Sequence, residues 1–122
     1  MLPQALSWCL ETEYVEDVTV CRFPGHDLYL DESSGQVIRE ELEHLIGREG
    51  RHQLILDFGN VAHFSGTTRN MLIVLHHRLR ALGGWLIICR LNCHIREVFE
   101  VTKLNTFLDI RSTEPEELAV AC

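Results

Sequence analysis

The chain has 122 residues, 46% of them hydrophobic, which is enough for one buried core and too few for two ordinary domains. Its 18 Asp and Glu against 11 Lys and Arg give a formal charge of -7, and no basic run follows a helix face or alternates with aromatics, so nucleic-acid backbone binding is disfavoured. The apolar run from Gly83 to Cys89 is far too short to cross a bilayer, and Met1 to Leu10 has no Lys or Arg ahead of its apolar residues, so neither a membrane span nor a secretory signal is expected.

Residues 1–13 show no clear period around Pro3 and Trp8 and read as an N-terminal extension, or a short edge strand, of a single domain spanning 1–122. Tyr14 to Phe23 carries Val15, Val18, Val20 and Phe23 among polar residues and predicts one strand stopped by Pro24-Gly25. Leu28-Tyr29-Leu30 predicts a second. Capping residues from Asp31 to Ser34 then precede Val37, Ile38, Leu42, Leu45 and Ile46, whose spacing predicts a helix ending at Gly47. Gln53 to Val61 has the continuous apolar character of a central strand covered on both faces.

Ser65-Gly66-Thr67-Thr68 is a short polar turn at the start of another helix. Met71, Leu72, Leu75, Leu79 and Leu82 form its apolar stripe, and Gly83-Gly84 ends it. Trp85 to Leu91 predicts a buried strand and Cys93 to Leu104 a helix packed through Ile95, Val98, Phe99 and Val101 or Thr102. A short strand at Phe107 to Ile110 and a final helix opened by Glu114-Pro115 complete the chain. The order β-β-α-β-α-β-α-β-α, joined by right-handed crossovers, predicts an α/β fold: a mixed, mainly parallel sheet of four to five strands with packed helices. The two apolar runs Leu54-Ile55-Leu56 and Leu86-Ile87-Ile88 are expected to be neighbours in that sheet.

The polar turn is the candidate site. The first N–H groups of a helix lack intrahelical partners and carry the positive end of its dipole, so a phosphate on a hydroxyl here is favourably received. Ser and Thr are also ordinary helix caps, and both readings stand. No nucleophile elbow, phosphate loop, HExxH or GxGxxG motif occurs, and His63 beside Ser65 does not make a triad, so catalysis is not expected. Cys9, Cys21, Cys89, Cys93 and Cys122 form no regular framework, which fits reduced thiols in a cytoplasmic chain. Cys89, Cys93 and His94 lack zinc-ligand spacing, and the mid-helix neighbours His76 and His77 point about 100° apart. No metal and no cofactor are expected.

The sequence LILDFGNVAHFSGTTRNMLIVLHHRLRALGG at 54 to 84, with GGWLIIC at 83 to 89 and HIREVFEVTKLNTFLDI at 94 to 110, resembles the STAS domain of anti-sigma-factor antagonists. The resemblance runs from about Val18 to Leu118. It implies a non-enzymatic interaction module that binds an anti-sigma factor with serine/threonine kinase activity, or another signalling regulator, and is switched by phosphorylation at the helix turn. The family's Asp-Ser-Ser-Gly turn falls on Ser65, Gly66, Thr67 and Thr68, so the acceptor falls on Thr67. Every other position of the turn departs from the pattern, and Arg69-Asn70 stands where Leu-Gly is common. Asp31 corresponds to an acidic residue near the switch helix, or only caps the first helix. The partner face is expected at Asp31 and from an exposed Phe64 through Ser65, Gly66, Thr67, Thr68, Arg69 and Asn70. The alternatives are an unregulated adaptor or scaffold and a small-ligand sensor. The oligomeric state is left open.

Overall fold

The computed structural model describes residues 10–106, 108–112 and 114–121. Its elements are β1 (Glu11–Val15), β2 (Val18–Arg22), β3 (Leu28–Leu30), α1 (Glu32–Gly47), β4 (Gln53–Asp57), β5 (Val61–Phe64), α2 (Gly66–Ala81), β6 (Trp85–Cys89), α3 (Cys93–Val101), a 3-10 turn at Leu104–Thr106, β7 (Asp109–Arg111) and α4 (Pro115–Ala121). The main sheet has five strands in the order β1-β2-β4-β6-β7, and β3 pairs with β5 in a separate ribbon. Only the β1–β2 pair of the main sheet is antiparallel. Leu54, Ile55 and Leu56 lie directly opposite Leu86, Ile87 and Ile88, as their shared apolar character predicts.

Alternation along the strands divides the interior between two faces. Cys21, Leu54, Leu56, Leu86 and Ile88 point into the larger cluster with Ile38 and Leu42 of α1, Leu72 and Leu75 of α2 and Phe99 of α3. Val18, Val20, Ile55, Ile87 and Cys89 point the other way, onto Leu118 and Ala119 of α4. Burial pushes the thiols of Cys21 and Cys89 up to about 12, Cys21 further through Glu41 and Cys89 through Asp57.

Two expected strands are each broken in two. Tyr14 to Phe23 is a hairpin, because Glu16 takes a left-handed backbone (φ 55) and lets Val15 pair with Val18. Glu11 to Glu13 thus belong to the edge strand β1, whereas residues 1–9 of the expected extension lie outside the described residues. Gln53 to Val61 stops at Asp57 and resumes as β5. The Asp57 carboxylate accepts the Gly59 N–H at 2.8 Å, and the Val61 N–H bonds the Phe58 carbonyl at 3.0 Å, turning the chain out of the main sheet.

Smaller departures share one cause, the ends of helices. Leu82 caps α2 and is exposed, where the stripe placed it in the core. Val98 and Val101 face outward from α3, which ends at Val101 and continues only as the 3-10 turn. The predicted strand at Phe107 to Ile110 begins outside the described residues, and β7 occupies 109–111. Between α2 and β6, Gly84 runs so close to the His52 carbonyl that any Cβ would overlap it, so glycine is required there.

Candidate functional site

The start of α2 is built around one carbonyl. Leu30, the last residue of β3, accepts the Ser65 N–H at 2.9 Å and the Thr68 hydroxyl at 3.1 Å. Ser65 adopts the extended backbone of an N-cap (φ -84, ψ 169), and its hydroxyl accepts the Thr68 N–H at 3.2 Å. The next residue after that carbonyl, Asp31, caps α1 with its carboxylate, which accepts the Ser34 N–H at 2.9 Å. The backbone N–H of Ser34, and then its hydroxyl, hold the Asp31 carboxyl below its ordinary value. The two helix starts are therefore side by side.

This arrangement separates the three hydroxyls of the turn. Ser65 is spent on capping. Thr68 is fully buried and bonded to Leu30, so it does not belong to an accessible face as the sequence suggested. Its side chain fits because Gly35 of α1 lies opposite: a Cβ there would stand 2.9 Å from the Thr68 hydroxyl oxygen. Thr67, one residue earlier, is half-exposed, and among the described residues its hydroxyl makes no hydrogen bond. Thr67, Asn70, Met71 and Val74 of α2 face Gly35, Gln36 and Arg39 of α1 across a cleft of about 220 Å³. Val74 is 54% exposed on its wall.

Phe64 also departs from expectation. It is half-buried rather than exposed, with ring contacts to Phe58 (6.0 Å between centroids) and Phe99 (5.5 Å), so it anchors the turn from below. Gly66 and Asn70 are exposed, and Arg69 is half-buried on the side of α2 that faces α3. Among the described residues no group of three His, Cys, Asp or Glu side chains is placed to hold a metal ion.

A second set of residues fixes β5, and sequence reasoning missed it. Asp57 is only 3% exposed at the end of β4, and Arg90 clasps it with two bonds, Nε to Oδ1 at 3.0 Å and Nη2 to Oδ2 at 2.9 Å. Arg22 approaches Oδ2 at 3.6 Å and Glu114 approaches Arg90 at 3.6 Å, so one ion cluster joins the ends of β2, β4 and β6 to the start of α4. The Asp57 bond raises the Arg90 guanidinium above its ordinary value. Asn92 caps α3 through its Oδ1 and donates from Nδ2 to the carbonyls of Val61 and Ala62, both at 3.1 Å. The available signal was a lone Asp inside an apolar strand, whose burial requires a cationic or hydrogen-bonding partner.

A mainly parallel α/β sheet, whose C-terminal edge presents a capped helix start with one free hydroxyl beside an interhelical cleft, defines a small sheet-and-helix domain. The chain belongs to the STAS domain family, whose model matches residues 10–117. A protein of Bordetella bronchiseptica assigned as an anti-sigma factor antagonist, BtrV, is 32% identical over 54 residues, which are 44% of this chain and 47% of that protein. The match thus spans about half the length of that relative. The fold is shared with a Thermotoga maritima protein assigned as an anti-sigma factor antagonist (TM-score 0.80, 15% identity, covering 89% of this chain and 91% of that one). It is also shared, at lower similarity, with unphosphorylated SpoIIAA, the Bacillus cell fate determinant (TM-score 0.71, 19% identity, covering 90% and 94%), and with its phosphorylated form (TM-score 0.70).

Proposed function

We propose that this chain is a non-enzymatic, cytoplasmic interaction module of the anti-sigma-factor antagonist type, and that it binds an anti-sigma factor with serine/threonine kinase activity. The α1–α2 cleft is the docking face and Thr67 the phosphate acceptor. One observation carries the reading: of the three hydroxyls at the start of α2, Thr67 alone is both accessible and uncommitted. The names of BtrV and SpoIIAA, and the existence of SpoIIAA in phosphorylated form, support it.

A phosphate on Thr67 adds nearly two negative charges to the cleft wall and must be desolvated for a partner to dock, so it opposes binding. The test pairs the purified chain with a kinase-type anti-sigma factor encoded in the same genome. Thr67→Ala is expected to retain binding and lose phosphate incorporation, and Thr67→Glu to weaken binding by about 1–3 kcal/mol in titration calorimetry. Equal affinity of wild type and both variants, with no phosphate transferred, leaves an unregulated adaptor instead.

A further inference from the structure

The seam between α1 and α2 carries charge at two levels. Gly35 lies against Thr68 at the helix starts, and Glu43 meets Arg78 at 2.8 Å further along, so the two helices run in the same direction. The far level is a completed bridge, a carboxylate of α1 on a guanidinium of α2. The near level has only its cation. Arg39, one turn after Gly35 and one turn before Glu43, lines the cleft of about 220 Å³ opposite Thr67, Asn70 and Val74, none of which is ionised.

Among the described residues lining this cleft, Arg39 is the one charged side chain. Glu40 and Glu43 border it in the neighbouring groove rather than in the cleft, Glu43 is taken by Arg78, and among the described residues Arg39 makes no ion pair. Helical side chains lean toward the N-terminus of their helix, so Arg39 leans along the cleft toward the level of Thr67. The cleft thus holds one cation and no anion of its own, and Thr67 is the accessible group on its wall that can acquire one. The arginine nearer in sequence, Arg69, is turned away: it lines the β5–α3 side, its Nη2 3.6 Å from where a Cβ on Gly66 would stand.

We infer that a phosphate on Thr67 is captured within the same chain by Arg39, bridging α2 to α1 across the cleft and filling the docking face with the protein's own groups. The inference rests on the proposed phosphorylation of Thr67 and adds the residue that decides where the phosphate goes. A dianionic phosphate accepts two parallel N–H bonds from a guanidinium, so the near level of the seam gains the kind of bridge that Glu43 and Arg78 make at the far one. Arg39 is a positioning residue in this scheme: without it the phosphate remains a solvated charge on α2 and the cleft stays open.

The test uses no kinase. Phosphothreonine is incorporated at position 67 of the full chain by genetic-code expansion, and phosphorus-31 NMR follows its second ionisation, near about pH 6 when unperturbed, from about pH 5 to about pH 8. The Arg39 cation favours the dianion, so the phosphate of the otherwise wild-type chain is expected to bind its last proton about threefold to tenfold more weakly than that of Arg39→Gln. Arg39→Lys is expected to recover part of the difference, having the charge without the planar fork, and Arg69→Gln to match the wild-type value. Each variant is compared only where it keeps the dispersed amide spectrum of the folded chain, which the exposed position of Arg39 favours. Equal ionisation in wild type and Arg39→Gln overturns the inference, as does loss of the effect in Arg69→Gln instead, which sends the phosphate to the α3 side. Failure of a kinase-type anti-sigma factor to modify Thr67 is read in a separate assay and overturns the proposed function, whereas the phosphate ionisation decides the capture by Arg39 in either case.

Discussion

The end of β4 and the start of α2 are separated by a few residues, and they are built on opposite plans. Asp57 is locked from several directions, by Arg90, Arg22 and the Gly59 N–H, and almost nothing of it reaches solvent. At the start of α2 the anchoring is done by Ser65, Thr68 and Phe64, and Thr67 is left over. A surface group held by a rigid frame meets a partner with little ordering cost. The fixed charges thus serve the architecture, and under the proposed function the one uncommitted hydroxyl of the turn is the group left for recognition.

Both plans rest on the core beneath α2, so the largest effect is expected there. Leu75 is 1% exposed, and Leu75→Ala is expected to lower unfolding stability by about 2–5 kcal/mol in urea titration. A loss under about 0.5 kcal/mol would place α2 outside the core and undo the comparison.

The next largest effect belongs to the locked end. Arg90→Gln leaves the buried Asp57 with Arg22 and the Gly59 N–H alone, and a cost of about 1–3 kcal/mol is expected. Because the cluster holds the chain that leads into β5, amide exchange from Val61 to Phe64 should accelerate in the same variant. Unchanged exchange would separate the ion cluster from the turn it is argued to support.

Adjacent threonines provide the sharpest form of the contrast. Thr68→Val removes the bond to the Leu30 carbonyl inside a packed contact and is expected to cost about 0.5–1.5 kcal/mol. Thr67→Val is expected to stay within about 0.5 kcal/mol of wild type. Equal losses at the two positions, read in one denaturation series, would erase the distinction between a structural and a free hydroxyl.

The smallest effect is electrostatic. The folded state holds the Asp31 carboxyl below its unfolded value, so the native state binds fewer protons through that range. The capping contribution is present above the unfolded carboxylate value of 3.8 and is lost as pH falls through the lower folded value. Asp31→Asn keeps a capping oxygen without the titration, and its stability is expected to vary less with pH than that of wild type below about pH 4. Parallel curves for the two proteins would show that the cap bond does not carry this dependence.

Most of the fold was legible because its signals are periodic. The apolar runs at Leu54 and Leu86 located the paired central strands, and the stripe from Met71 to Leu79 located α2. What was not legible depends on partners distant in sequence. The turn after Asp57 is made by local bonds, but the charge that lets Asp57 stay buried there is supplied by Arg90, 33 residues later, and that pairing is not legible locally. Phe64 was expected outside because its neighbours are polar, yet Phe58 and Phe99 claim its ring. At the site, the turn and its helix were readable from Ser65 onward. The difference between Thr67 and Thr68 was not, since it depends on which face of the first helical turn meets Leu30 and Gly35.

The missing side chain of Gly35 has a consequence for how this turn can change over generations. Thr68 occupies space that exists only because α1 has no Cβ opposite it, so bulk is shared between the two helices and neither position drifts freely. A methyl at 35 would press on the Thr68 hydroxyl oxygen that bonds the Leu30 carbonyl, so something in that contact must give. Substitutions at 35 and 68 are therefore expected to be non-additive, the smaller side chain at one position easing the larger at the other.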